Sequence, residues 1–256
     1  MDKKPLILIV NDDGFEAAGL YALAEAARGY GEIVVISPDS PRSGMGHAIT
    51  MNVPLRIKEY KREEGIIYYR TNGTPADCVK LGQKVILKNR KIDLVLSGIN
   101  HGSNSSVSLL YSGTMAAAIE ASFDNIPAVG ISLLDYRENA DFSAAIEISR
   151  ELIGKIITHP FPDHIALNVN IPKCPLEDIQ GVKITHQALG TWKEEFEERK
   201  DIFGNNYYWL KGHLETNDNS EESCQWSLDH NYVSIQPVQF DLTAYRHIQT
   251  FKFLEK

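Results

Sequence analysis

Short apolar runs alternate with helical patterns along the first half of the chain. The run LILIV at residues 6–10 is apolar on both faces, which is typical of a strand buried in a parallel sheet. EIVVIS at 32–37, DLVLSGIN at 93–100 and IPAVGIS at 126–132 share this character. Together with the helical segments between them, they predict a Rossmann-like α/β fold with a mostly parallel sheet flanked by helices.

The helical segments are marked by their composition and by their ends. An Ala- and Leu-rich stretch at 19–31 stops at glycines, and Thr74-Pro75 supplies a cap and a first-turn proline for a helix reaching roughly residue 87. MAAAIEAS follows a Ser-Gly-Thr sequence, and residues 142–157 repeat apolar positions at helical spacing. A less regular region over 49–70 is predicted to be hairpin-like.

The pattern changes beyond about residue 160. IALNVNIP and VKITH are typical of strands, residues 193–201 form a charge run, and NNYYWLKGHLE and NYVSIQPVQ are extended and aromatic. We therefore predict a catalytic core over 1–160 and a β-rich region over 161–256, with a protruding hairpin and a tail packed on the core. Because this region carries aromatics outside the α/β pattern, we expect it to serve subunit contact, with exchange of carboxyl-terminal elements. The alternative is a tail folded back on its own core.

Composition narrows the range of partners. The net charge is −8, from 26 basic and 34 acidic residues, and no stretch collects five or more lysines and arginines. Binding to a nucleic acid polymer or to a membrane surface is therefore not expected. The three cysteines show no disulfide or zinc spacing, and neither a signal peptide nor a membrane span is recognisable. These features predict a cytoplasmic protein.

Polar residues follow the predicted strands, where open α/β sheets bind their ligands. Asp12 and Asp13 come directly after the first strand, and their mutual repulsion would be relieved by a cation. Ser43 and Asn100 follow neighbouring strands and add oxygen donors, which suits Mg²⁺ or Mn²⁺. An Asp that caps a helix beside a solvated Asp-Gly turn is the alternative for the carboxylate pair.

Two small-residue loops are candidate phosphate sites. Gly44 and Gly46 would let backbone N–H groups approach an anion, although a plain turn is the more common use of S-G-x-G. Ser112, Gly113 and Thr114 precede a helix, whose first N–H groups and dipole favour an anion, unless they serve only as a helix cap.

Four further residues beside these loops are candidate substrate contacts. They are Asn11, His47, Asn72 and His101. A histidine near a phosphate loop could contact the phosphate or its leaving group, but most histidines are structural. Asn72 lies in an Asn-Gly turn, for which we favour a structural role.

Taken together, these motifs resemble the SurE family of survival-protein-E nucleotidases. The matching stretches occur in the family's order over nearly the whole chain and are ILIVNDDGFEAAGL, SPDSPRSGMGHAIT, TNGTPADCVKLG, DLVLSGINHGSN, YSGTMAAAIEA, LNVNIP and YVSIQPVQFDLTA. Two details depart from the family: His47 replaces a small polar residue, and the glycine that often follows Glu120 is absent. Both bear on substrate preference.

The resemblance implies a phosphatase that depends on one divalent ion and acts on nucleoside 5′- or 3′-monophosphates, with short polyphosphate as a further substrate. It implies metal ligation by Asp12, Asp13, Ser43 and Asn100, phosphate contacts around Gly44 and residues 112–114, and assembly into homodimers or homotetramers. The catalytic residues are then Asp12, Asp13 and Asn100. Attack by an activated water is favoured over an aspartyl phosphate, since the usual D-x-D spacing is missing.

Two other function classes share parts of this pattern. A dinucleotide-dependent oxidoreductase would need a glycine-rich turn where this chain has Asn11-Asp12-Asp13. A non-catalytic, metal-dependent nucleotide sensor would share every binding residue, so only an assay of phosphate release distinguishes it from an enzyme.

Overall fold

The computed structural model describes residues 4–255, whose main feature is a nine-stranded sheet in the order β3-β4-β2-β1-β5-β6-β7-β11-β8. A second, two-stranded sheet is formed by β9 and β10. The strands are β1 (Leu6–Val10), β2 (Glu32–Pro38), β3 (Ile57–Glu63), β4 (Ile66–Thr71), β5 (Leu94–His101), β6 (Ala128–Leu133), β7 (Ile165–Ile171), β8 (Gly181–Ile184), β9 (Gly190–Lys200), β10 (Asn206–Thr216) and β11 (Tyr232–Gln239).

Helices cover both faces of the large sheet. They are α1 (Ala18–Ala27), α2 (Pro75–Leu81), α3 (Gly113–Phe123), α4 (Ser143–Thr158) and α5 (Cys224–Asp229), and α2 continues into a π-helical turn (Gly82–Ile86). Short 3₁₀ turns occupy Ser106–Tyr111, Leu176–Asp178, Tyr245–His247 and Gln249–Leu254. Within residues 4–255, no helix has the length and apolar character needed to cross a bilayer.

The sheet is mostly parallel, as the sequence predicted. Parallel pairs join six strands in the order β4, β2, β1, β5, β6 and β7. Antiparallel pairs then add β3 next to β4 and β11 next to β7. Three strands beyond residue 160 therefore extend the same sheet. The division into two regions at that residue stays a prediction.

Side chains along β1 alternate between two hydrophobic cores, which contain different residues of the strand. Ile7 and Ile9 pack into the core beneath α1 and α4, whereas Leu6, Leu8 and Val10 pack into the core beneath α2 and α3. Because both faces of the strand are buried, its sequence is apolar throughout, and its carboxyl end is the first point where polar side chains are tolerated.

Strands β9 and β10 form an antiparallel hairpin, as predicted, while its role in subunit contact stays a prediction. Its strands are paired over their full length, and most of its side chains are exposed. The tail after β11 contacts the core through Phe240, whose ring centroid lies 4.9 Å from that of Phe123 in α3. Beyond it, Leu242 and Phe253 are 82% and 77% exposed.

Candidate active site

The carboxyl ends of β1 and β5 bring the predicted metal ligands to one edge of the sheet. These strands are neighbours, with Val10 opposite Ser97, so that Asp12 and Asp13 follow β1 beside Asn100 in β5. The loop after β2 folds back onto this edge, since the backbone N–H of Arg42 donates to the carbonyl oxygen of Asp12 at 2.7 Å.

Asp12 is almost fully buried at this edge, with 3% of its surface exposed. Its Oδ1 accepts a hydrogen bond of 2.6 Å from the hydroxyl of Thr114, in the first turn of α3. Burial, reinforced by the negative charge of Asp13, raises the pKa of Asp12 from 3.8 to about 6. A cation at this position would restore the ionised form.

Asp13 follows Asp12 in the chain and is held by β5. Its Oδ2 accepts a hydrogen bond of 3.0 Å from the backbone N–H of His101. Burial raises the pKa of Asp13, although the hydrogen bond and the imidazole of His101 oppose this shift. Both carboxylates are thus anchored by one oxygen each to a protein donor, and both are less easily ionised than in water.

Asn100 presents an amide oxygen to the same place. It is 8% exposed, and its Nδ2 donates to the carbonyl oxygen of Gly102 at 2.8 Å, which leaves the side-chain oxygen as an acceptor. In the described part of the chain, no three His, Cys, Asp or Glu side chains group into a metal cluster. Two carboxylates, one amide and the hydroxyl of Ser43 are oxygen donors of the kind that a hard cation prefers, and metal ligation by these residues stays a prediction.

Asp12, Ser43 and Asn100 line one open cavity of about 860 Å³. Six of the residues predicted from sequence line it, and they are Asp12, Ser43, Gly44, Asn100, His101 and Ser112. Ten further lining residues were not predicted: Ser103, Asn104, Ser108, Tyr111, Tyr136, Trp192, Glu194, Leu210, Lys211 and Gly212. Tyr136, just beyond β6, could have been found by the strand-end rule, but nothing local marked the hairpin residues.

The start of α3 is packed directly against Asp12. The hydroxyl of Ser112 accepts from the backbone N–H of Met115 at 3.0 Å, so Ser112 caps the helix as well as lining the cavity. Gly113 approaches so closely that a Cβ there would lie 2.8 Å from Cβ of Asp12. The positive end of the helix dipole consequently lies beside the carboxylate.

The glycine loop after β2 is held against the segment that precedes α3. The backbone N–H of Gly46 donates to the carbonyl oxygen of Tyr111 at 3.0 Å, and φ is +56° at Gly46 and +73° at Gly44. His47 lies 2.9 Å from Oε2 of Glu120 in α3, and its ring stacks on Phe123. His47 is thus placed beside α3 and is not among the cavity-lining residues.

Two predicted asparagines have their amides engaged by the protein. Asn11 accepts a hydrogen bond of 2.6 Å from Ser37 and donates to the carbonyl oxygen of Gly14 at 2.8 Å. Asn72 accepts from the backbone N–H of Arg56 at 2.7 Å, within the turn that leads into α2. Their roles as substrate contacts stay predictions, while their observed contacts fix the turns.

A second cavity of about 770 Å³ lies at the opposite edge, near the amino ends of β1, β5 and β6. Its cations are already paired, Lys84 with Asp124 at 2.9 Å and Arg90 with Glu32 at 2.7 Å. The desolvated carboxylate of Asp12 and the strand-end donors Ser43 and Asn100 line the first cavity, which makes it the candidate active site.

The family model described as Survival protein SurE matches residues 7–194 of this chain. The chain belongs to the SurE family. The 5′-nucleotidase SurE of Cytophaga hutchinsonii is 48% identical over 95% of this chain and 94% of its own length. That of Flavobacterium psychrophilum is 47% identical over 96% of both chains.

A solved SurE-family structure has the same fold. The crystal structure of the SurE protein from Aquifex aeolicus matches with a TM-score of 0.85 at 37% identity, over 98% of this chain and all of the other. The Rossmann-like fold and the family resemblance predicted from the sequence are thereby confirmed.

Proposed function

We propose that this SurE-family chain is a divalent-metal-dependent 5′-nucleotidase, which hydrolyses nucleoside monophosphates to nucleoside and phosphate. The observation that carries the proposal is the desolvated carboxylate of Asp12, which lines one open cavity with the oxygen donors of Asn100 and Ser43. The carboxylate of Asp13, next to it in the chain, is desolvated as well. The names of the relatives from Cytophaga hutchinsonii and Flavobacterium psychrophilum support the same reaction. Activity on 3′-monophosphates and short polyphosphate belongs to the proposal.

The metal would be held by Asp12, Asp13, Ser43 and Asn100. When bound, a single Mg²⁺ or Mn²⁺ supplies Lewis-acid polarisation of the phosphoryl group and lowers the pKa of a water molecule. Thr114 fixes one oxygen of Asp12, and the N–H of His101 fixes one oxygen of Asp13. The two carboxylates are therefore oriented before any ligand arrives.

The chain's own contribution to phosphate binding comes from two backbone segments. Ser112, the N-cap of α3, and Gly44 both line the cavity, and the helix dipole favours an anion at the helix start. These groups would stabilise the negative charge that develops on the phosphoryl oxygens. They would also orient the phosphate for attack by water.

Chelation is expected to abolish phosphate release. The purified protein, dialysed against EDTA, should lose turnover of AMP and recover it on addition of Mg²⁺ or Mn²⁺, because the ion supplies the Lewis acid and the activated water that hydrolysis needs. Free phosphate is measured with and without metal over a panel of nucleotides. Full activity in chelator would contradict the metal dependence, and nucleotide binding without phosphate release would indicate a sensor.

We also propose that the chain assembles as a homodimer or homotetramer through its hairpin and tail. In the hairpin, Phe196 and Trp209 are 68% and 56% exposed, and in the tail Phe251 and Leu254 are 58% and 69% exposed. Exposed apolar surface of this extent is typical of a protein interface. A two-stranded hairpin is also marginally stable alone.

Light scattering is expected to give a mass of at least twice 28.7 kDa for the full-length protein at micromolar concentration. A variant that ends at residue 241 should remain folded but assemble from fewer subunits, because the tail residues that contact the neighbouring subunit are removed. Circular dichroism of the variant checks its fold. A monomeric mass for the intact chain would refute the assembly.

The cellular compartment is the last part of this proposal. Cys78, Cys174 and Cys224 are unpaired thiols in the described chain, and Cys78 is fully buried. Burial raises the pKa of the Cys78 thiol well above its usual value, so it is a packing residue. Unpaired cysteines fit a reducing compartment, and we propose the cytoplasm.

A further inference from the structure

The base of the hairpin forms one wall of the active-site cavity. The hydroxyl of Ser106 donates to the carbonyl oxygen of Ala188 at 2.8 Å, and a Cβ on Gly190 would lie 2.7 Å from that hydroxyl oxygen. Ser106 begins the 3₁₀ turn that brings Ser108 and Tyr111 into the cavity. The first residues of β9 are therefore fixed relative to the sheet edge that carries Asp12 and Asn100.

This wall carries the apolar side chains of Trp192 and Leu210 together with the charged residues Glu194 and Lys211. Trp192 pairs with Leu214 across the hairpin, and Leu210 pairs with Phe196, so strand alternation puts all four side chains on one face. Trp192 and Leu210 line the cavity and are 38% and 57% exposed. The cavity thus combines an indole ring and a leucine side chain of the hairpin with the polar edge of Asp12.

We propose that Trp192 is the platform on which the base of the nucleoside monophosphate stacks. This inference rests on the proposed function. The proposed substrate has a charged phosphate at one end and a flat aromatic base at the other. The same cavity has the polar residues around Asp12 and the indole ring of Trp192. The cavity volume of about 860 Å³ falls in the range of small-molecule sites.

A stacking platform has a consequence for specificity. Every base presents a π-face, so stacking on an indole ring stabilises purines and pyrimidines without reading their hydrogen-bonding edges. Trp192 therefore provides affinity for nucleotides as a class, relative to phosphate esters that have no base. The hairpin then contributes to substrate binding.

The test compares AMP with ribose 5-phosphate, which has the phosphate but no base. We expect Trp192→Ala to raise KM for AMP by about tenfold, the size of one lost base–aromatic stack. Its kcat for AMP, and its KM for ribose 5-phosphate, should change less than about twofold, because stacking is remote from the phosphate. Trp192→Phe keeps an aromatic face and should retain most of the affinity for AMP.

Trp209 provides a matched control within the same hairpin. It pairs with Glu197, which places it on the face opposite to Trp192, and it is 56% exposed. Trp209→Ala removes the same side chain from the same hairpin and should leave both KM values unchanged. Equal KM values for AMP in the two alanine variants would overturn the inference.

A binding measurement separates this inference from the proposed function. The chain has three tryptophans, so the variant Trp209→Phe/Trp226→Phe leaves Trp192 as the only one. Adenosine, which lacks the phosphate, should quench its fluorescence, and the absence of quenching would overturn the platform. If the wild-type protein released no phosphate from either ester while quenching persisted, the proposed function would fail and the base platform would stand.

Discussion

Replacing Asp12 with asparagine is expected to lower kcat for AMP by about 10³-fold or more. The change removes one of two carboxylates from the donor set, and a catalytic metal contributes several kcal/mol of transition-state stabilisation. Asparagine has the same shape and can still accept the hydrogen bond from Thr114, which is 2.6 Å in the wild type. The fold should therefore be retained, as measured by circular dichroism and thermal unfolding.

The same variant should be more stable than the wild type in EDTA above pH 6. Burial raises the pKa of Asp12 to about 6 from 3.8, so the ionised carboxylate destabilises the metal-free fold. The stability contributed by the protonated acid is fully present below pH 3.8 and is lost as the pH rises through 6. Asparagine has no such loss, and its advantage at pH 8 has an upper bound of about 3 kcal/mol.

Asp124→Asn is the matched control for both measurements. Asp124 follows the other end of α3, is half exposed and pairs with Lys84 at 2.9 Å. An exposed ion pair contributes little, so activity and pH dependence should resemble the wild type. Activity of Asp12→Asn within tenfold of the wild type would contradict metal ligation by Asp12.

The strands of the core could be predicted because their signals are local. LILIV is apolar on both faces, and the carboxylates that follow it mark the end of β1. Strands β7 and β11 were recognised, but not their place in the large sheet. Their register joins Ile165 to Gln239, more than 70 residues away, and no local pattern specifies such a partner.

The site was predictable to the extent that it follows strand ends. Asp12, Ser43 and Asn100 were expected to converge because the carboxyl ends of parallel strands share one edge, and all three line the cavity. The hydrogen bond from Thr114 to Asp12 was missed, and so was Trp192. Each depends on packing between segments about 100 residues apart or more, which hydrophobic periodicity does not describe.

Gly113→Ala is expected to lower kcat for AMP by about 10²-fold. A Cβ at Gly113 would lie 2.8 Å from Cβ and 2.9 Å from Oδ2 of Asp12, and 3.1 Å from Pro75. These contacts are shorter than van der Waals packing allows, so Asp12 or the start of α3 must shift. A displacement of about 1 Å in a catalytic group can cost 10²-fold in rate.

Overpacking at the same place should also destabilise the fold by about 1–3 kcal/mol, measured by denaturant unfolding in EDTA. Gly154→Ala is the control, because Gly154 also lies in a helix but its new Cβ would meet the side chain of Tyr30, at 3.0 Å from the hydroxyl oxygen and 3.1 Å from Cε1, rather than a residue of the site. That variant should keep its activity, and helix propensity favours alanine there. A fully active Gly113→Ala protein would show that the contact between α3 and Asp12 does not position the carboxylate. Loss of activity without loss of stability would place the strain on the side chain of Asp12, which can rotate, rather than on the helix.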